Sequence, residues 1–179
     1  MNNEQNNTGI RKIYYLWIPI ILVLIDQLTK LWAIDRLKNG SHIRVIGENV
    51  TLRYVENRGA AWGVLSGKLD ILTILIVLLV IGVMIVLARV PSTKRFRPLL
   101  ICLLCIVSGA FGNLFDRIRL GYVVDFISFD VIHFPVFNVA DIGITCSVIL
   151  LAILMLFVYS EEELSFLPFF GSSETKKTP

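Results

Sequence analysis

Long apolar runs separated by short polar stretches organise this chain. The first run follows a polar, Asn-rich stretch, Met1 to Lys12, which reads as a disordered tail ending in the basic pair Arg11-Lys12. Ile13 to Ile34 then gives about 22 residues, enough to cross a bilayer at roughly 1.5 Å per residue. That run is too long for a signal-peptide core, and no small-residue cleavage site follows it. A second run, Leu69 to Ala88, is broken only by Asp70 at its mouth and Thr73, and predicts a lipid-facing scaffold helix. Leu99 to Phe115 and Phe137 to Tyr159 supply a third and a fourth. The pattern predicts an all-α membrane protein of four transmembrane helices: a tail over 1–12, a membrane domain over 13–159 and a C-terminal tail over 160–179.

Four crossings put both termini on one side. The short link Arg89 to Arg97 carries Arg89, Lys94, Arg95 and Arg97 with no acidic residue, which places it and both termini in the cytoplasm. The longer loop between the first two spans also holds basic residues, Arg36, Lys38, Arg44, Arg53, Arg58 and Lys68, offset in part by Asp35, Glu48 and Glu56. It is not a plain connector. Ile43–Ile46 and Val50–Val55 are rich in β-branched and aromatic residues around a Gly47-Glu48-Asn49 turn, so a small sheet is expected on the outer surface, with Trp62 at headgroup depth.

Composition supports the membrane class: 55% of residues are hydrophobic and the mean hydropathy is +0.73. A net charge of +3, spread between apolar runs, leaves no footprint for nucleic acid. Cys102, Cys105 and Cys146 all lie in apolar segments and are read as packing residues, because no second cysteine or histidine pair stands at zinc-ligand spacing. No metal is expected. His42 and His133 fall in or near loops and read as surface residues.

Charged side chains inside a span cost several kcal/mol unless paired or solvated, so each is a functional candidate. With alternating crossings, Asp26, Gln27, Thr29 and Lys30 lie in the outer half of the first span, Asn113, Asp116 and Arg117 end the third, Asp125 lies in the connector, and Asn138 and Asp141 open the fourth. Topology gathers them near one depth. Structural roles compete for some: an interfacial Asp116–Arg117 salt bridge, a Lys30 that snorkels to the headgroups, and a helix cap at Asn138 with Asp141 as its capping-box partner. Two close carboxylates suggest an aspartyl hydrolase, one member protonated and one ionised, and Asp141 is the firmest member of such a pair. Its partner, Asp116 or Asp125, stays open on these grounds. The alternative is a small transporter or proton-relay subunit.

Five blocks then carry a resemblance: Asp26-Gln27-Leu28-Thr29-Lys30, Asn57-Arg58-Gly59-Ala60-Ala61-Trp62, Gly109 to Arg117, Val123-Val124-Asp125-Phe126 and Phe137-Asn138-Val139-Ala140-Asp141. In this order they resemble the bacterial lipoprotein signal peptidases (signal peptidase II), with Ser108 standing where the family often has a second glycine. The resemblance implies four transmembrane helices with an extracytoplasmic β-cradle at about 40–67, and an aspartyl endopeptidase of the bacterial inner membrane that uses no metal or cofactor. Its substrates would be diacylglyceryl-modified prolipoproteins, cut just before the lipidated cysteine. The implied dyad is Asp125 and Asp141. Asp26, Asn57, Asn113, Arg117 and Asn138 are the implied substrate-binding shell, supported by Lys30, Gly59, Gly109, Asp116 and Ala140. Membrane lipids and globomycin-type inhibitors are the other expected partners, and a monomer is expected. Gly109 and Gly112, at small-x-x-small spacing, would let a peptide or a neighbouring helix approach.

Overall fold

The structure, a computed structural model, describes residues 12–59, 69–132 and 134–167, with only the backbone of residues 69 and 70. Trp62, His133, Met1–Arg11 and 168–179 lie outside the described residues. Four helices form: α1 (Trp17–Leu37), α2 (Leu69–Arg89), α3 (Arg97–Leu120) and α4 (Val139–Ile153), the last continued by a π-helical turn over Leu154–Val158. All four are long and apolar enough to cross a membrane. Their bounds follow the apolar runs closely except in α3, which extends to Leu120 rather than ending near Phe115. Hydropathy marks the membrane, whereas the helix ends where Gly121 turns left-handed (φ 76°) and donates its N–H to the carbonyl of Arg117. Asn113, Asp116 and Arg117 are therefore helical residues within the last two turns.

α3 is the hub. It packs against α1, α2 and α4, and 72% of its spanning stretch is buried, against 17% in α1 and α2 and 11% in α4. The outer three helices turn Ile20, Leu24, Leu78 and Ile149 outward, as helices facing lipid do. At one end, Val90, Phe96, Leu99, Leu103, Leu154 and Tyr159 form a core joined by Leu164 and Leu167 of the segment after α4. At the other, Ala33 and Leu37 of α1 pack on Val124 and Phe126.

Those two residues belong to a sheet of three antiparallel strands, β1 (His42–Ile46), β2 (Val50–Asn57) and β3 (Val123–Phe129), in the order β1-β2-β3. The first two match the expected sheet; β3 comes from the connector between α3 and α4. It is buried on both faces from Val123 to Phe126, so it carries no alternation to betray it. Beyond a bulge between Leu52 and Val55, the register pairs Val55 with Asp125 and Asn57 with Val123. Phe137 then bridges to Ile127, accepting its N–H at 2.8 Å and donating back at 3.0 Å, which lays Asn138 alongside β3 at the entrance to α4.

Candidate active site

Two linked polar clusters occupy this end of the bundle. The first is centred on Lys30, one turn after Asp26 on α1. Its ammonium lies 2.9 Å from Asp26 Oδ2 and 3.0 Å from Asp116 Oδ2, and donates to Asn113 Oδ1 at 2.9 Å. Lys30, Asp26 and Asp116 are each at most 3% exposed, so the lysine does not snorkel to the headgroups. Nor does Asp116 pair with Arg117: adjacent helical residues point apart, and Asp116 faces α1 while Arg117 faces the cavity described below. Backbone donors complete both carboxylates, Ala140 N–H to Asp26 Oδ1 and Val124 N–H to Asp116 Oδ2, each at 3.1 Å. Gln27 adds a donor to Asp116 Oδ1 at 3.0 Å. The cluster thus ties α1, α3, β3 and the start of α4 together. Buried charges persist only when paired and hydrogen-bonded in this way.

Glycine makes that approach possible. A Cβ at Gly112 would stand 2.5 Å from Asp26 Oδ2, and one at Gly109 would stand 2.7 Å from the carbonyl of Ala140. In this structure both glycines serve helix packing, with α1 and α4 respectively.

The second cluster holds Asp125 and Asp141. Asp125, on β3, is 1% exposed and accepts from Asn57 Nδ2 at 2.8 Å and Asn138 Nδ2 at 2.7 Å. Asn138 is in extended backbone at the N-cap of α4, and it forms a full capping box with Asp141: its Oδ1 accepts Asp141 N–H, and its own N–H donates to Asp141 Oδ2, both at 3.1 Å. Asn113 Nδ2 donates to Asp141 Oδ1 at 2.8 Å. The orientation of the Asn113 amide is forced, because its oxygen already receives Lys30 and, at 3.1 Å, Asn138. The ammonium of the first cluster therefore sets which atom of Asn113 meets Asp141. The cap and the site readings of Asn138 and Asp141 coexist.

No cation touches this second pair among the described residues. Burial pushes the Asp125 carboxyl up from 3.8 to about 7, the nearby charge of Asp141 adds to the rise, and the bonds from Asn57 and Asn138 oppose it. Arg117 is held beside the pair, donating to the carbonyls of Gly59 and Asn113, each at 3.2 Å. Its Nε is buried without a hydrogen-bond partner among the described residues.

A cavity of about 670 Å³ opens in front of the pair. Asp125, Asp141, Asn57, Gly59, Asn113 and Arg117 form its polar wall. Asp26, Lys30, Asp116, Asn138, Gly109 and Ala140 do not line it; they stand behind that wall and fix it. The apolar wall comes from α2 (Leu72, Ile76, Leu79), α4 (Ile142, Ile144) and the stretch before α4 (Phe134, Pro135, Val136). α2 is thus more than a lipid-facing scaffold, a role its unbroken apolar run could not reveal because every face reads alike. Cys102 and Cys105 are unbridged on α3.

The family model for signal peptidase II matches residues 18–157, a stretch that contains every residue of both clusters. A lipoprotein signal peptidase from Clostridium acetobutylicum is 43% identical over 135 residues, covering 73% of this chain and 86% of that protein. One from Clostridium novyi is 42% identical over 142 residues, covering 78% and 95%. A bacterial membrane enzyme solved by the in meso method at 2.3 Å superposes with a TM-score of 0.70 at 28% identity, over 93% of this chain and 94% of that one. None of these supports the transporter alternative. With four membrane helices, a small sheet and matches spanning nearly all of them, the chain belongs to the signal peptidase II family.

Proposed function

We propose that Asp125 and Asp141 form the catalytic dyad with which this multi-pass membrane peptidase removes the signal peptide from prolipoproteins. What carries the reading is a carboxylate pair held by asparagine amides alone, facing a cavity whose other wall is apolar. Two carboxylates in that setting share a proton near neutral pH, and the pair titrates as a unit. The ionised member takes a proton from a water whose oxygen attacks the scissile carbonyl carbon. The neutral member donates its proton to the carbonyl oxygen. The resulting gem-diol then collapses: one of its hydroxyls returns a proton to the aspartate that is now ionised, the C–N bond breaks, and the leaving amine takes the proton held by the other aspartate, so that the dyad again holds one proton. The partnerless Nε of Arg117 offers a donor to a substrate carbonyl, and Asn57 and Asn113 hold the carboxylates in position.

The substrate is a prolipoprotein carrying diacylglycerol on the cysteine that follows the cut. Its acyl chains stay in the bilayer along the α2–α4 wall, which brings the scissile bond to the depth of the aspartates. The basic link between α2 and α3 orients the chain with both termini in the cytoplasm and the dyad at the extracytoplasmic face of the bacterial inner membrane. Globomycin-type cyclic peptides would occupy the same cavity.

The test is cleavage of a diacylglyceryl-modified prolipoprotein peptide by the purified chain in detergent, with no ion gradient, beside the same peptide unmodified. The expected result is a cut just before the lipidated cysteine and little cleavage of the unmodified peptide. No cut in either peptide would overturn the reading.

A further inference from the structure

At the end of the bundle opposite the aspartates lies a second cavity, of about 280 Å³, that the cleavage reaction does not use. Lys12 and Tyr15, at the entry to α1, line one side; Ser92 and Thr93 of the link after α2, with Arg97 and Leu100 at the start of α3, line the other. Lys12 closes the wall by donating to the carbonyls of Leu87 (3.2 Å) and Ala88 (3.0 Å) at the end of α2.

The charge around this cavity is unbalanced. Arg95 is paired with Glu163 at 2.8 Å, but Lys12, Arg89, Lys94 and Arg97 have no carboxylate partner among the described residues. The guanidinium of Arg97 makes no hydrogen bond to any described residue, and the Thr93 side chain caps nothing. A guanidinium, an ammonium and two hydroxyls around a small space are the chemistry that recognises a phosphate ester.

The setting selects the source of that phosphate. Ile13 and Leu16, just before α1, and Trp17, its first residue, are 62%, 49% and 58% exposed, an apolar track that ends in an aromatic ring of the kind found at membrane interfaces. A soluble phosphate has no use for such a track, whereas acyl chains do. The unpaired cations repel a choline headgroup and favour one of net negative charge. We infer that this cavity holds the phosphate headgroup of an anionic phospholipid in the leaflet opposite the aspartates, seated against Arg97 and Lys12 with its acyl chains along α1.

The experiment is native mass spectrometry of the purified full chain in detergent, titrated with phosphatidylglycerol or phosphatidylcholine, for the wild type, Arg97→Gln, Lys12→Gln and Arg36→Gln. Arg36 is an exposed arginine of α1 outside this cavity and serves as control. Wild type should favour phosphatidylglycerol about tenfold, Arg97→Gln should lose about fivefold of that preference, and Arg36→Gln should keep it. Inorganic phosphate at millimolar concentration should not displace the lipid. Equal binding of the two lipids, or an unchanged preference in Arg97→Gln, would overturn the inference; displacement by phosphate would make this a soluble-anion site and overturn the lipid assignment. Unchanged thermal unfolding without added lipid shows that each variant is folded. Should Lys12→Gln fail that check, Arg97→Gln decides alone.

Discussion

Two aspartate pairs share one end of this bundle, and what lies between the members of each pair differs. Asp26 and Asp116 face a common ammonium, Lys30, within 3.0 Å of both. Asp125 and Asp141 face asparagine amides, which donate hydrogen bonds but carry no charge. A shared cation bonds both buried carboxylates, and such a group holds helices together. Amides stabilise an anion only in part, and burial, with the neighbouring Asp141 charge, pushes the Asp125 carboxyl up to about 7. Asn113 couples the two, accepting from Lys30 and donating to Asp141. The pair held by Lys30 thus orients the proposed dyad through Asn113.

The difference predicts opposite failures. Asp125→Asn and Asp141→Asn should each lose about three orders of magnitude or more in cleavage rate, measured on the lipidated peptide, while thermal unfolding stays near the wild-type value. Lys30→Met should do the reverse in kind: with two carboxylates left facing each other, the fold should lose about 3–5 kcal/mol in a detergent unfolding titration. Adding Asp116→Asn to that variant should recover part of the loss, because one buried charge is then gone. Gly112→Ala pushes a Cβ to 2.5 Å from Asp26 Oδ2 and should cost about 1–3 kcal/mol in the same titration, through displacement of α1 from α3.

The smallest effect concerns pH. Cleavage should fall on the alkaline side as the pair loses its proton around the Asp125 value of about 7. Asn57 donates to Asp125 and favours the ionised form, so Asn57→Ala should move that fall to higher pH in a rate profile. Stability follows the same sign. The folded carboxyl sits above its ordinary 3.8, so its contribution is fully present below that pH and is lost as the pH rises through about 7.

How much of this is legible in the sequence depends on what kind of signal each part leaves. The four spans are visible because an apolar run of membrane length is rare outside a bilayer. The polar cluster is visible because topology alone brings Asp26, Asn113, Asp116, Asp125, Asn138 and Asp141 to one depth. Pairing within it is not. Whether Lys30 reaches lipid headgroups or turns inward depends on rotation about the α1 axis, and a helix apolar on most of its surface leaves that rotation unmarked. Asp125 and Asp116 are equivalent candidates without β3, and a strand buried on both faces has no period-two pattern to announce it. The family resemblance, not the physics of the residues, points to Asp125. The contribution of Leu72, Ile76 and Leu79 to the cavity is hidden for the same reason as the rotation of Lys30.

The measurement that bears most directly on the central claim is infrared difference spectroscopy of the protonated-carboxyl stretch across pH 5 to about 8, with isotope-labelled aspartate, in the folded wild type, Asp125→Asn, Asp26→Asn and Asp116→Asn. One protonated carboxyl should disappear around pH 7 in the wild type, persist in Asp26→Asn and Asp116→Asn, and be lost or strongly shifted in Asp125→Asn. A titrating carboxyl that survives Asp125→Asn unchanged and vanishes with Asp26 or Asp116 would contradict it, since the proton would then belong to the pair that Lys30 holds.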